Sequence, residues 1–142
     1  MGVFGPRSLK NLSTCIPDAQ MVANAARLRI AFVVIEGHRG KSRQNEMYAE
    51  GLSAKQYPDG NHNTSPSLAF DYIFQPFIGT DADWKNDAAF KTVADIIIEE
   101  AAKLGIVAVW GGSWKGLNDT DHVQLVSKNG VPYPKTYKTV DP

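Results

Sequence analysis

Scarcities narrow the reading of this sequence before any motif does. It holds a single cysteine, Cys15, so no intrachain disulfide can form and no cysteine cluster can bind a metal. A reducing compartment suits such a chain, and Cys15 is expected to pack as a small hydrophobe. Neither charge is in excess: 15 basic and 15 acidic side chains give a formal net charge of zero. That disfavours a protein working on duplex nucleic acid, whose affinity comes from a basic face. No apolar run approaches the roughly 20 residues of a membrane helix. The first ten residues carry Pro6, Arg7 and Lys10 with no apolar stretch behind them, so no signal peptide is visible. Histidine is also scarce, limited to His38, His62 and His122.

What is present has the make-up of a soluble globular domain. The 142 residues are 43% hydrophobic and 21% charged, enough for one core and one domain over 1–142. Residues 17–28 read as a helix, with Pro17 at its first position and Met21, Val22, Ala25 and Leu28 at helical spacing. Residues 30–35 form a β-rich apolar run. A short helix over 42–50 stops at Gly51. Residues 52–67 are loop by composition, with Pro58, Asp59 and Gly60 among them. Residues 68–74 read as a strand.

The clearest helix spans 81–104, its stripe made by Phe90, Val93, Ala94, Ile97, Ala101 and Leu104. Thr80 and Asp83 suggest its cap, and Gly105 its end. Strands follow at 106–109 and 121–127, then the turn Asn129-Gly130. An extended tail occupies 131–142. Two of the connections are too short to need crossovers, so the expected class is α+β, a small antiparallel sheet flanked by helices.

Metal-assisted hydrolysis requires three ligands from histidine and carboxylate, with one position left open for water. It also requires a nearby base and a donor for the oxyanion. His62, Asp71 and His122 can be the ligands, Asp119 the base and Arg39 the donor. On residue types alone the plain alternatives stand beside these. His62 fits a solvated loop, Asp71 a salt bridge, His122 a packed core and Asp119 a turn. Arg39 fits an ion pair with Glu36 or Glu46. Asp121 is a second carboxylate before His122, and strand alternation would face it away.

Four stretches narrow the choice: Ser8-Leu-Lys-Asn-Leu12 before the Pro17 helix; Glu36-Gly-His-Arg39 with Gln44 and Tyr48-Ala-Glu-Gly51; His62-Asn-Thr-Ser-Pro-Ser-Leu-Ala-Phe-Asp71; and Trp110-Gly-Gly-Ser-Trp114 leading to Asp119-Thr-Asp-His122. Together they resemble the zinc D-alanyl-D-alanine metallopeptidase and L-alanyl-D-glutamate endopeptidase family, in its short phage endolysin form. The resemblance implies a hedgehog/DD-peptidase-like fold and a Zn2+ ion held by His62, Asp71 and His122. It implies Asp119 as catalytic base, Arg39 at the oxyanion, and Gln44 and Trp114 near substrate. His38 receives no ligand role from it.

The implied activity is hydrolysis of the L-Ala–D-Glu bond in the peptidoglycan stem. Cleavage at D-alanyl-D-alanine and a zinc-stabilised binding module are the alternatives. Three ligands plus a retained base favour catalysis over a structural site, which takes four. Further expectations are a monomer made in the host cytoplasm, release to the cell wall through a pore-forming holin, and no insertion into membrane. The first metal motif departs from the family pattern. Gly60 stands where a serine is usual, and Pro66-Ser67 makes the His62-to-Asp71 spacing two residues longer, which puts the shape of the cleft in question.

Overall fold

A computed structural model describes residues 2–57, 60–115 and 118–135. Pro58, Asp59 and most of the expected tail lie outside the described residues. Helices α1 (Pro6–Leu12) and α2 (Pro17–Arg27) open the chain, each with proline at its start. Proline's fixed φ suits a first helical turn, where its missing N–H is not needed. The first of these helices was not evident from hydrophobic spacing, because its seven residues bury only Ser8 and Leu12. Strand β1 (Phe32–Glu36), helix α3 (Lys41–Ala49) and strand β2 (Ala69–Phe74) follow.

The long helix expected over 81–104 is two helices, α4 (Asp81–Trp84) and α5 (Asp87–Lys103). Asn86 is the reason for the break. Its side chain accepts from the Ala89 amide and caps α5 afresh. Thr80 caps α4 by accepting from Asp83 N, and the Asp83 carboxylate turns back to the amides of Ile78 and Gly79. The chain ends in β3 (Ile106–Trp110), β4 (His122–Lys128) and the two-residue β5 (Val131–Pro132). Asn129 and Gly130 join the last two strands with φ values of 51° and 81°, the left-handed pair that a tight hairpin turn needs.

The sheet runs β1-β2-β4-β3, with β5 also on β4, and every strand pair is antiparallel. The α+β expectation therefore holds. One face is apolar. Phe32, Val34, Phe70, Tyr72, Val123 and Leu125 are buried in a core shared with Val22, Phe90, Val93 and Ile97 of the helices. Rings of Phe32, Tyr72, Phe90 and Phe74 meet edge to face with centroids 5.0–6.0 Å apart, a favoured aromatic geometry. The Tyr72 hydroxyl donates to the Phe90 carbonyl at 2.7 Å, so the one polar atom in that cluster is bonded.

The opposite face of the same strands carries polar residues, and register decides which. Asp71 on β2 pairs with His122 on β4 and with Glu36 on β1. Directly opposed residues share a face, so Glu36, Asp71 and His122 stand in one row. Glu36 would by simple alternation lie on the face of Val34. A bulge between Val34 and Glu36 inserts Ile35 without a partner and turns Glu36 over.

Phe90 is fully buried where α5 crosses the sheet. Phe90→Ala should cost roughly 3–5 kcal/mol of stability through the cavity it opens. Urea unfolding measures this, and a loss under about 1 kcal/mol would mean that α5 does not clamp the sheet as described.

Candidate metal centre and cleft

His62 lies on a single 3-10 turn, Asn61–Asn63, immediately ahead of the loop to β2. The Arg39 amide donates to its carbonyl at 2.7 Å, which ties this turn to the end of β1. The imidazole thereby comes to lie over Asp71 and His122. His62 Nε2 is 3.0 Å from Asp71 Oδ1 and 3.0 Å from His122 Nδ1, and His122 Nδ1 is 3.3 Å from Asp71 Oδ1. All three residues are buried, and they form a group able to hold a metal ion.

The outer atoms of the two rings identify what the inner ones carry. His62 Nδ1 lies 2.7 Å from the Gly37 carbonyl, which can only accept, so the proton sits on Nδ1. His122 Nε2 lies 2.7 Å from Gln124 Oε1 and donates to it in the same way. In neutral rings this leaves lone pairs on His62 Nε2 and His122 Nδ1, both facing a carboxylate oxygen. Three lone pairs around one point repel unless a cation lies among them. Tetrahedral Zn2+ with bonds near 2.0–2.1 Å would separate its ligand atoms by about 3.3 Å, close to the spacings seen. The donor set therefore fits a divalent metal, with each histidine oriented by a carbonyl behind it.

Without a metal, a proton takes the cation's place. Burial alone would push the Asp71 carboxyl up. The two imidazoles outweigh burial and hold it well below the usual carboxylate range. Burial likewise disfavours the charged form of His122, but the Asp71 carboxylate prevails and raises its pKa above the ordinary histidine value.

Arg39 completes the support of Asp71. It is 5% exposed, and its NH2 group reaches Asp71 Oδ2 at 3.3 Å. Glu36 Oε1 accepts from both Nε and NH2, and Gln44 Oε1 accepts from NH1 at 3.0 Å. A guanidinium has five N–H donors, so among the described residues one on NH1 is left without a partner. Gln44 itself is fully buried. Its amide nitrogen donates to Ser53 Oγ and to the Lys55 carbonyl, so both ends of the side chain are engaged in bracing Arg39.

Asp119 and Trp114 reach the cluster from the other side. Their amides both donate to the Gly111 carbonyl, at 3.1 and 3.2 Å. Gly111 permits this close approach, because a Cβ there would lie 2.3 Å from the Asp119 carbonyl oxygen. Asp119 Oδ2 lies 3.8 Å from His122 Nδ1, beside the metal locus and outside the ligand triangle. The Trp114 ring tilts against His122 with centroids 5.1 Å apart. Arg39, Gln44, His62, Trp114, Asp119 and His122 all line one cleft of about 330 Å³.

Other expectations resolve differently. Asp121 does not turn away from the site. It precedes β4 in a turn, where strand alternation does not apply, and its carboxyl lies near enough to Asp119 and Asp71 to feel both charges. Burial first, then the charge of Asp71 and the contact with Asp119, push it up to about 10. His38 is a support: its Nδ1 lies 3.0 Å from the Thr64 carbonyl. Cys15 is buried, which pushes its thiol up to about 12.

The two extra residues of the metal motif are taken up away from the cleft. Ser67 exchanges backbone hydrogen bonds with Thr14 and Ile16, and residues 64–68 do not line the cleft. Glu36, Gly37, Gln124 and Asp121 were not recognisable as parts of the site from sequence spacing. Glu36 had a signal as a named ion-pair partner of Arg39, and Asp121 had one as the second carboxylate before His122.

Residues 2–129 match the family described as phage L-alanyl-D-glutamate peptidase. The L-alanyl-D-glutamate peptidase of Escherichia phage T5 is 29% identical over 138 residues, covering 87% of this chain and 97% of that protein. The peptidoglycan L-alanyl-D-glutamate endopeptidase CwlK of Bacillus subtilis (strain 168) is 31% identical over 114 residues, covering 73% of this chain and 66% of CwlK. Among solved structures, the Serratia marcescens L-Ala D-Glu endopeptidase ChiX matches with a TM-score of 0.72 and 31% identity, covering 87% of this chain and 89% of that one.

The two shifts predict the pH behaviour of metal-free protein. Asp71, lowered from 3.8, stabilises the fold above that value and loses its contribution as pH falls. His122, raised from 6.5, stabilises the fold below that value and loses its contribution as pH rises through its folded pKa. Chelator-treated protein should melt highest between these limits, and added metal should restore the loss on the alkaline side. Thermal melts across pH measure this. A melting temperature that climbs from pH 6.5 upward in chelator would contradict the assignment.

Proposed function

The chain belongs to the phage L-alanyl-D-glutamate peptidase family, and on that premise we propose that His62, Asp71 and His122 hold the Zn2+ of a peptidoglycan endopeptidase that cuts the L-Ala–D-Glu bond of the stem peptide. The enzyme is a peptidase acting on cell wall. The convergence of three buried ligand atoms beside a free carboxylate in a cleft supports this reading. Bound there, Zn2+ would supply Lewis acidity, making a water molecule acidic near neutral pH.

Asp119 would act as the base, taking a proton from the attacking water and passing it to the departing amine; its carboxylate 3.8 Å from His122 Nδ1 supports this role. Arg39 holds Asp71 through one NH2 donor, with Glu36 and Gln44 fixing the guanidinium, and a second NH1 donor would serve the oxyanion. Gln44 serves by keeping that guanidinium in place. Trp114 forms the exposed wall against which substrate lies.

One catalytic domain over 1–142, with 131–142 as an extended tail, is the corresponding organisation. Among the described residues no helix is long and apolar enough to cross a membrane. Passage from the host cytoplasm to the wall through a separate pore-forming holin, with the chain acting as a monomer, completes the reading. Export of active protein by cells that lack such a pore would count against that route.

Digestion of purified peptidoglycan by zinc-loaded protein, with a chelator-treated control, tests the assignment by mass spectrometry. New L-alanine C-termini that vanish with chelator are expected. Release of terminal D-alanine alone would replace the reading with a carboxypeptidase. Asp119→Ala should retain zinc and lose about 10²–10⁴-fold in turnover, whereas His122→Ala should lose both. Near-normal turnover in Asp119→Ala would remove it from the mechanism.

A further inference from the structure

The cleft has two cations that the mechanism does not use. Lys55 and Lys115 both line it and both are exposed. Among the described residues neither has an ion-pair or hydrogen-bond partner for its ammonium. Arg39, by contrast, is balanced by Glu36 and Asp71. Two unpaired ammonium groups facing a cleft suit a substrate that carries carboxylates.

The two lysines lie on different walls. Lys55 belongs to the wall of Gln44 and Arg39, because Gln44 donates to its carbonyl. Lys115 directly follows Trp114, which Gly111 anchors through the carbonyl that also holds Asp119. The Asp119 wall is the side of the leaving amine, since Asp119 returns the proton there. In an L-Ala–D-Glu bond that amine is the nitrogen of D-glutamate. The stem continues through the γ-carboxyl of this residue, so its α-carboxylate is free and only one carbon from the leaving nitrogen.

We propose that Lys115 recognises this α-carboxylate, so that the enzyme distinguishes D-glutamate from its α-amide, D-isoglutamine, next to the scissile bond. The proposal rests on the endopeptidase reading above and names a specificity determinant within it. A charge-assisted hydrogen bond to an ammonium is lost when the carboxylate becomes an amide. Because Lys115 is exposed, the effect falls at the low end for such bonds.

The test compares N-acetyl-L-Ala-γ-D-Glu-L-Lys-D-Ala with its D-isoglutamine counterpart, using the zinc-loaded full chain. The acid should be preferred by about tenfold in kcat/KM, carried mainly by KM. In Lys115→Gln the ratio should collapse toward one, Lys115→Arg should recover most of it, and Lys55→Gln should keep it. Calorimetric titration with the product γ-D-Glu-L-Lys-D-Ala supplies a second readout, and Lys115→Gln should weaken its binding by about tenfold. A wild-type ratio near one, a ratio that survives in Lys115→Gln, or one lost in Lys55→Gln would overturn the assignment. If neither peptide is cleaved, the endopeptidase reading fails, and the titration still decides whether Lys115 binds the carboxylate.

Discussion

Three lone pairs aimed at one buried point are the constraint on which the rest of this structure depends. The triangle formed by His62 Nε2, His122 Nδ1 and Asp71 Oδ1 has edges of 3.0–3.3 Å. No such arrangement is stable without positive charge at its centre. The surroundings supply everything except that charge. Gly37 and Gln124 fix the ring tautomers from behind. Arg39 occupies the second oxygen of Asp71 and so directs the first one inward. The strand register puts Asp71 and His122 opposite each other, and the bulge in β1 brings Glu36 to the same row to hold Arg39.

This layout separates binding from reaction. Asp71 and His122 are buried on the polar face of the sheet with His62 beside them, backed by the aromatic core on the other face. Asp119 and Trp114 stand on loops, both anchored by the Gly111 carbonyl. Strands therefore carry Asp71 and His122, a short turn tied to the Arg39 amide carries His62, and loops carry Asp119 and Trp114. The longer spacing between His62 and Asp71 fits the same division. Ser67 joins the backbone of Thr14 and Ile16 outside the cleft, so the added length does not enter it.

Much of this was legible from the chain. Prolines and glycines marked the helix ends: Pro17 starts α2, and Gly51 and Gly105 take positive φ after α3 and α5. The Asp-x-x-His pattern at 119–122 and the lone carboxylate at Asp71 led to residues that the structure brings together, because such residues are few in this chain. What was not legible depends on tertiary register. Nothing local shows that β1 bulges at Ile35 to turn Glu36 over. Asp121 was misplaced because strand alternation was extended one residue beyond the true start of β4. The helix at 81–104 was read as continuous because its apolar stripe outweighed the capping chemistry of Asn86.

Zinc K-edge X-ray absorption of the purified protein tests the central claim most directly, because it counts and identifies the atoms around the metal. The account predicts one tightly bound zinc per chain with a first shell of light atoms only: two imidazole nitrogens, one carboxylate oxygen and one further oxygen from water, at about 2.0–2.1 Å. A sulfur at about 2.3 Å, a third imidazole, or no stoichiometric zinc would contradict it.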